Sequence, residues 1–165
     1  MSLRRATPRV EVLPGERVLA RSESAMGTLA GTRDALYLPV DDARWTRVPW
    51  EQVKSADWDR ESEALRVVEV GAWGETRSEH TFTLTDPGRL LELVRERVTA
   101  SVVLQRHVPI TGKRGVRVIA RRAPRGNQGV EWFFEYDPGI DPADPFVDQA
   151  AQEALLAARD EVGEV

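Results

Sequence analysis

The chain has 165 residues, 41% of them apolar and 30% charged, with a net charge of −4 at neutral pH. This is the length of one domain, or of one domain with an extension, and the absence of cysteine excludes disulfide scaffolds, cysteine-ligated zinc, iron–sulfur clusters and thiol catalysis. No apolar run approaches the roughly 20 residues of a membrane span, and the N-terminus lacks the apolar stretch of a signal peptide, so we expect a soluble, cytoplasmic protein.

Alternating apolar and polar residues between turn-forming dipeptides predict seven short strands in the first half of the chain. In the sixth, the apolar parity changes from Leu65 and Val67 to Val68 and Val70, which indicates a bulge or burial on both faces. The predicted strands span residues 16–23, 27–31, 35–39, 45–50, 53–59, 64–70 and 80–85.

A helix is predicted over residues 87–100. Asp86 is read as its N-cap and Pro87 as its first helical residue. Apolar residues then recur at helical spacing, namely Leu90, Leu91, Val94 and Val98.

The rest of the chain predicts three more strands and a second helix. The strands span residues 102–110, 115–122 and 129–136, and a proline-rich loop leads to a helix over 145–162 capped by Asp144. We expect the apolar stripe of this helix to contain Phe146, Ala150, Ala154, Leu155 and Ala158.

Two local patterns accompany this order of elements. In GTLAGTRDALYLP, residues 27–39, a strand breaks at a polar turn and resumes as an apolar strand. In RVPWEQVKSADWD, residues 47–59, two strands flank a short turn anchored by Val53. Over about residues 14–101 the chain resembles bacterial pleckstrin-homology-like (PH-like) domains.

The resemblance implies an α+β, mostly β fold, in which a half-open antiparallel barrel is capped by the 87–100 helix. The three-stranded antiparallel extension and C-terminal helix of residues 102–165 lie outside it, either packed on the barrel or forming a small second unit. Such domains bind lipids, peptides or their own copies and are seldom catalytic. The first hairpin, ARSESAMGTLAGTR, contains Arg21 and Arg33 but lacks the clustered bases of phosphoinositide-binding members.

No residue pattern predicts catalysis, a metal or a cofactor. His80 and His107 are isolated, and no phosphate-binding, dinucleotide-binding or nucleophile motif occurs. Four aspartates of the proline-rich loop have the wrong spacing for an EF-hand and are read as turn and capping residues, with a weak divalent-cation site as the alternative. They are Asp137, Asp141, Asp144 and Asp148.

Charge is divided unevenly after the first helix. Residues 97–130 contain eight bases and no acid, whereas residues 131–165 contain ten acids and one base. The basic segment is interpreted as a solvated face, as a partner of the acidic segment, or as a contact for an anionic ligand. The candidate contact residues are Lys113, Arg114, Arg117, Arg121, Arg122 and Arg125.

Five tryptophans are present. Trp50 and Trp58 fit core positions, whereas Trp45 and Trp73 stand in or beside loops. These two either form an exposed contact surface or cover the ends of the barrel.

The function we expect is that of a non-catalytic PH-like scaffold that acts through protein–protein contacts, including self-association. The alternative is binding of an anionic ligand, either nucleic acid or an acidic membrane surface, through residues 106–125. Against nucleic acid stand the sequence pI of about 5.3 and the lack of aromatic residues between 97 and 130.

Overall fold

The computed structural model describes residues 9–70, 78–124 and 129–163. These residues form three antiparallel sheets and two helices, so the α+β, mostly β class is confirmed, and no sheet among them closes into a barrel. They divide into two compact units, one of residues 9–100 with 123–124 and the other of residues 101–122 with 129–163. Neither helix in these ranges is long and apolar enough to cross a membrane.

The first unit begins with a four-stranded antiparallel meander. Its strands are β1 (Ala20–Ser24), β2 (Gly27–Gly31), β3 (Ala35–Pro39) and β4 (Trp45–Pro49), in that spatial order. The predicted bounds of β2 and β3 are confirmed.

A 3-10 turn over Trp50–Gln52 leads into a three-stranded sheet. Its strands are β5 (Val53–Asp59), β6 (Ala64–Glu69) and β7 (Glu79–Thr83), with β5 at one edge. The register shifts between Val53 and Ser55, opposite the parity change in β6. Val67 and Val68 are both buried, so the parity change reflects both burial on two faces of β6 and a bulge in its partner.

The core of this unit lies under helix α1 (Gly88–Ser101). Leu90, Leu93 and Val94 of α1 join a cluster that includes the fully buried Trp50, whose indole Nε1 donates to the Thr32 carbonyl at 2.9 Å. The predicted N-cap is wrong. Asp86 has a φ of 51°, which is left-handed rather than extended, and the first helical bond runs from Leu91 N to the Pro87 carbonyl at 2.9 Å.

The N-terminal part of the predicted first strand is also wrong, because β1 begins at Ala20. Glu16 instead turns its carboxylate inward, where only 5% of the side chain is exposed. Val10 is buried against Ala30, Ala35 and Tyr37 in a second apolar cluster. Residues 9–18 are therefore held by packing and by one carboxylate rather than by strand pairing.

The second unit contains β8 (Val102–Thr111), β9 (Arg114–Arg121) and β10 (Glu131–Tyr136), with β9 in the centre. Helix α2 (Pro145–Val162) packs against β8 and β9. Its predicted cap is confirmed, since Asp144 Oδ1 accepts from Phe146 N at 2.9 Å, and Gly163 ends the helix in the left-handed region.

The predicted apolar stripe of α2 is displaced around the helix. Of the predicted residues, Ala158 is buried and Ala150, Ala154 and Leu155 are half-buried, whereas Phe146 is 69% exposed. Val147 and Ala151 are buried instead of it. The buried face of α2 begins at Val147 rather than at Phe146, so the Phe146 ring points away from the sheet that α2 covers.

Candidate functional site

An apolar cleft in the first unit lies between β5, β6 and α1, with a cavity volume of about 220 Å³. Its lining includes Ala56, Trp58, Leu91, Val94, Arg95 and Val98. Four of these, Ala56, Trp58, Leu91 and Val98, are half-buried and pack on the core beneath.

Local periodicity explains how the cleft is built. Ala56 and Trp58 are two residues apart in a strand and so face the same side. Leu91 and Val98 are seven residues apart in α1 and share one helical face. In the sheet order β5 lies at an edge. The cleft therefore combines apolar walls, an edge strand and the cationic Arg95.

The predicted basic segment does not form one continuous cationic surface among its described residues. Arg117 is half-buried and lies 3.9 Å from the Glu135 carboxylate across the β9–β10 pair. Arg121 is 5% exposed and its Nη1 donates to Ser101 Oγ at 3.1 Å. Burial lowers the pKa of Arg121, and the nearby charge of Glu135 partly opposes this.

Three of the candidate bases lie at the surface. Lys113 and Arg114 are exposed at the β8–β9 turn, and Arg122 is exposed just after β9. Arg125 lies outside the described residues. The five described candidates are therefore divided between buried or paired positions and exposed positions at the two ends of β9, and they form no single site.

Acidic groups of the second unit pair with its basic strands. Arg106 of β8 forms an ion pair with Glu161 of α2. His107 Nε2 lies 2.8 Å from Asp137 Oδ2, and the same oxygen accepts from Gly115 N at 2.7 Å. The His107 hydrogen bond, supported by Gly115, lowers the pKa of Asp137. Much of the charge separation along the sequence is thus brought together within one unit.

The other residues singled out from the sequence have structural contacts. Trp45 is half-buried, packs against the second apolar cluster and donates from Nε1 to the Thr28 carbonyl at 2.7 Å. Trp73 lies outside the described residues. His80 Nε2 lies 2.8 Å from Glu69 Oε2. No group of three or more metal-ligating side chains is found within the ranges described.

The sequence reasoning missed the cleft because it assigned Trp58 wholly to the core. It also missed a buried polar cluster in which Glu16 accepts hydrogen bonds from Thr32, Tyr37 and Arg47. A carboxylate at an apparently regular strand position is the only signal that the sequence carries for it.

No family model, curated protein or solved structure matches this chain.

Proposed function

We propose that this chain is a non-catalytic PH-like scaffold that acts through protein–protein contacts, including contacts with its own copies. The order of elements supports the PH-like part, because a four-stranded sheet, a three-stranded sheet and a helix follow one another along the first unit. The observation that carries the binding part is the apolar cleft between β5 and α1.

The chemistry of the cleft selects a particular kind of occupant. Half-buried Trp58, Leu91 and Val98 favour an apolar side chain in the cleft, since polar groups placed against them would lose water without gaining hydrogen bonds. Arg95 favours a carboxylate next to that side chain. An amphipathic helix bound in the cleft commonly supplies both an apolar side chain and a neighbouring carboxylate.

The chain itself carries such a helix, in α2 of a second copy. Phe146 is 69% exposed, and the exposed Glu153 follows it seven residues later on the same helical face. We therefore assign Phe146 of a second copy to the cleft and Glu153 of that copy to Arg95. Such a contact joins two different surfaces of the chain, so it either occurs twice in a reciprocal two-fold dimer or repeats head to tail in rings or chains.

The test is light scattering across protein and salt concentrations. We expect assemblies larger than a monomer that dissociate as salt screens the Arg95–Glu153 attraction. Phe146→Ser should weaken association at least about tenfold, because burial of a large apolar side chain contributes about 1.5–3 kcal/mol. The matched control is Leu156→Ser, since Leu156 is 66% exposed on the same helix but points about 80° away around its axis.

A second pair of variants tests the cleft side. Arg95→Glu should weaken association, whereas Arg89→Glu, at an exposed site on the same helix but outside the cleft lining, should not. A monomer at all concentrations in low salt would overturn self-association. Equal losses for Leu156→Ser and Phe146→Ser would overturn the assignment of Phe146.

The anionic-ligand alternative is left with few exposed cations in the described part of the basic segment. Affinity for double-stranded DNA falls with salt by about 0.9 log units per log unit for each phosphate neutralised. With Lys113, Arg114 and Arg122 as contacts, we expect a slope no steeper than about −2.7 in a fluorescence anisotropy titration. A slope steeper than that would show a larger cationic surface and favour the alternative.

A further inference from the structure

The first unit has a second pocket, of about 280 Å³, on its N-terminal segment. Its walls come from two turns that are distant in sequence, the Pro14–Gly15 turn and the turn between β2 and β3. The lining residues are Gly15, Glu16, Arg17, Leu19, Arg33 and Asp34. All six lie outside any strand or helix, so the pocket is formed by loop backbone that the Glu16 contacts hold in place.

Two arginines line this pocket, Arg33 in the turn between β2 and β3 and Arg17 two residues after Gly15. Arg17 and Arg33 are both exposed, and neither forms an ion pair with another residue in the ranges that the structure describes. By contrast, Arg47 in the same unit lies 3.1 Å from the Glu16 carboxylate. The guanidinium groups of Arg17 and Arg33 therefore have hydrogen-bond donors available to a ligand.

The two acids of the lining do not cancel this charge. The Glu16 carboxylate is 5% exposed and accepts from Thr32 Oγ1 at 2.6 Å, Tyr37 Oη at 2.8 Å and Arg47 Nε at 3.1 Å. Arg47 thus balances Glu16, and Asp34 is the only other acid of the lining, against the two arginines Arg17 and Arg33. A net positive charge remains at the pocket.

The remaining lining favours a small ligand with an organic part. Gly15 has a φ of 86°, and a Cβ added there would meet no atom within 4 Å, so the pocket is open on that side. Leu19 is 37% exposed and offers an apolar surface beside the arginines. Two guanidinium forks approaching from different segments suit a tetrahedral anion better than a planar one, because its oxygens point in several directions.

We propose that this pocket binds the phosphate group of a small phosphate monoester, held between Arg17 and Arg33 with its organic part on Leu19. The same chemistry is presented by a soluble ester and by the headgroup of phosphatidic acid. In both cases the ligand joins the N-terminal segment to the β2–β3 turn and stabilises their contact. This site is separate from the cleft proposed for protein contacts.

The test is an amide NMR titration of the full chain with inorganic phosphate and with phenyl phosphate. We expect shifts centred on Gly15, Arg17, Arg33 and Asp34, and tighter binding of the ester through Leu19. Arg17→Gln and Arg33→Gln should each weaken binding about tenfold or more, because each removes charge-assisted hydrogen bonds. Arg89→Gln, at an exposed site outside the pocket, should bind as the wild type does.

Vesicle sedimentation separates the two sources of phosphate. Binding to vesicles with phosphatidic acid but not to phenyl phosphate assigns the site to a lipid headgroup, and the reverse assigns it to a soluble ester. Both results support the proposal when Arg17→Gln weakens the binding about tenfold or more. Shifts centred on Lys113 and Arg114, or shifts of equal size with sodium chloride, would overturn the proposal. So would the absence both of a shift at about 10 mM phosphate or phenyl phosphate and of binding to phosphatidic acid vesicles, since such a site would hold a ligand at about millimolar Kd or tighter. Unchanged shifts outside the pocket show that the variants remain folded.

Discussion

Replacing Glu16 by glutamine is expected to lower the free energy of unfolding of the first unit by about 2–3 kcal/mol, since hydrogen bonds to a charged group contribute about 1.5–3 kcal/mol each. The carboxylate accepts from Thr32, Tyr37 and Arg47, and only 5% of its side chain is exposed. Glutamine has one acceptor oxygen, and its amide group donates toward groups that already donate. The substitution also leaves Arg47, 30% exposed, without its carboxylate.

The same cluster makes the free energy of unfolding depend on pH, and the direction of the Glu16 pKa shift determines the sign of that dependence. Burial alone would raise the pKa of Glu16, but the hydrogen bonds from Thr32, Tyr37 and Arg47 hold it below its usual value. A carboxyl whose folded pKa is depressed contributes stability above its unfolded pKa, and that contribution is lost as pH falls through the folded pKa. Tyr37 behaves oppositely, because burial and Glu16 raise its pKa and its contribution is lost at alkaline pH.

Urea unfolding at a series of pH values measures both effects. As the pH falls from the unfolded pKa of Glu16 to its lower folded pKa, the free energy of unfolding of the wild type should decrease. Glu16→Gln should lack that part of the decrease. Glu11→Gln changes an exposed carboxyl of the same segment and should resemble the wild type. If Glu16→Gln were as stable as Glu11→Gln at neutral pH, the cluster would not be what holds residues 9–18.

Most of the elements could be predicted from the sequence because periodicity and turn residues act locally. The bounds of β2, β3, β5 and α2 follow from alternation and from the Asp144 cap. The predicted start of β1 failed because an inward carboxylate requires partners in the β2–β3 turn, on β3 and on β4 that no local pattern identifies. Local rules describe what a segment can do, and tertiary partners decide between the remaining choices.

The candidate sites were harder to predict, because they depend on which strands become neighbours. The charged residues between Arg97 and Val130 are all basic. The register of β10 on β9 nevertheless places Glu135 opposite Arg117 and Glu131 opposite Arg121. Alternation showed that Arg117 and Arg121 share a face of β9 but not that acids lie across from them. The arginine pair Arg17 and Arg33 was equally hidden, since sixteen positions separate the two residues in the chain.

Gly115→Ala is expected to have the largest effect in the second unit. A Cβ at this position would lie 1.9 Å from the Val108 carbonyl oxygen and 2.7 Å from Pro109 Cα. Both contacts are with backbone atoms of β8, which cannot move aside as a flexible side chain can. The β8–β9 register shifts between Pro109 and Thr111, so the strands approach closely where only glycine fits.

The neighbouring contacts raise the cost of any movement. Gly115 N donates to Asp137 Oδ2 at 2.7 Å, and its carbonyl accepts from Asp137 N at 2.9 Å. Displacing the strand to relieve the clash therefore breaks the bonds that join the end of β10 to β9. Overpacking usually costs about 1–3 kcal/mol, and we expect at least the upper end here, because the obstruction is backbone.

Amide exchange resolved by residue is the measurement that separates this effect from a general loss of stability. In Gly115→Ala, exchange should become fast throughout β8, β9 and β10 before it does so in β1–β7. Gly129→Ala is the matched control in the same unit, because a Cβ there meets no atom within 4 Å. If β9 in Gly115→Ala were as well protected from amide exchange as it is in Gly129→Ala, β8 and β9 could separate at Gly115 without cost. The close approach of the strands would then not be what sets the β8–β9 register.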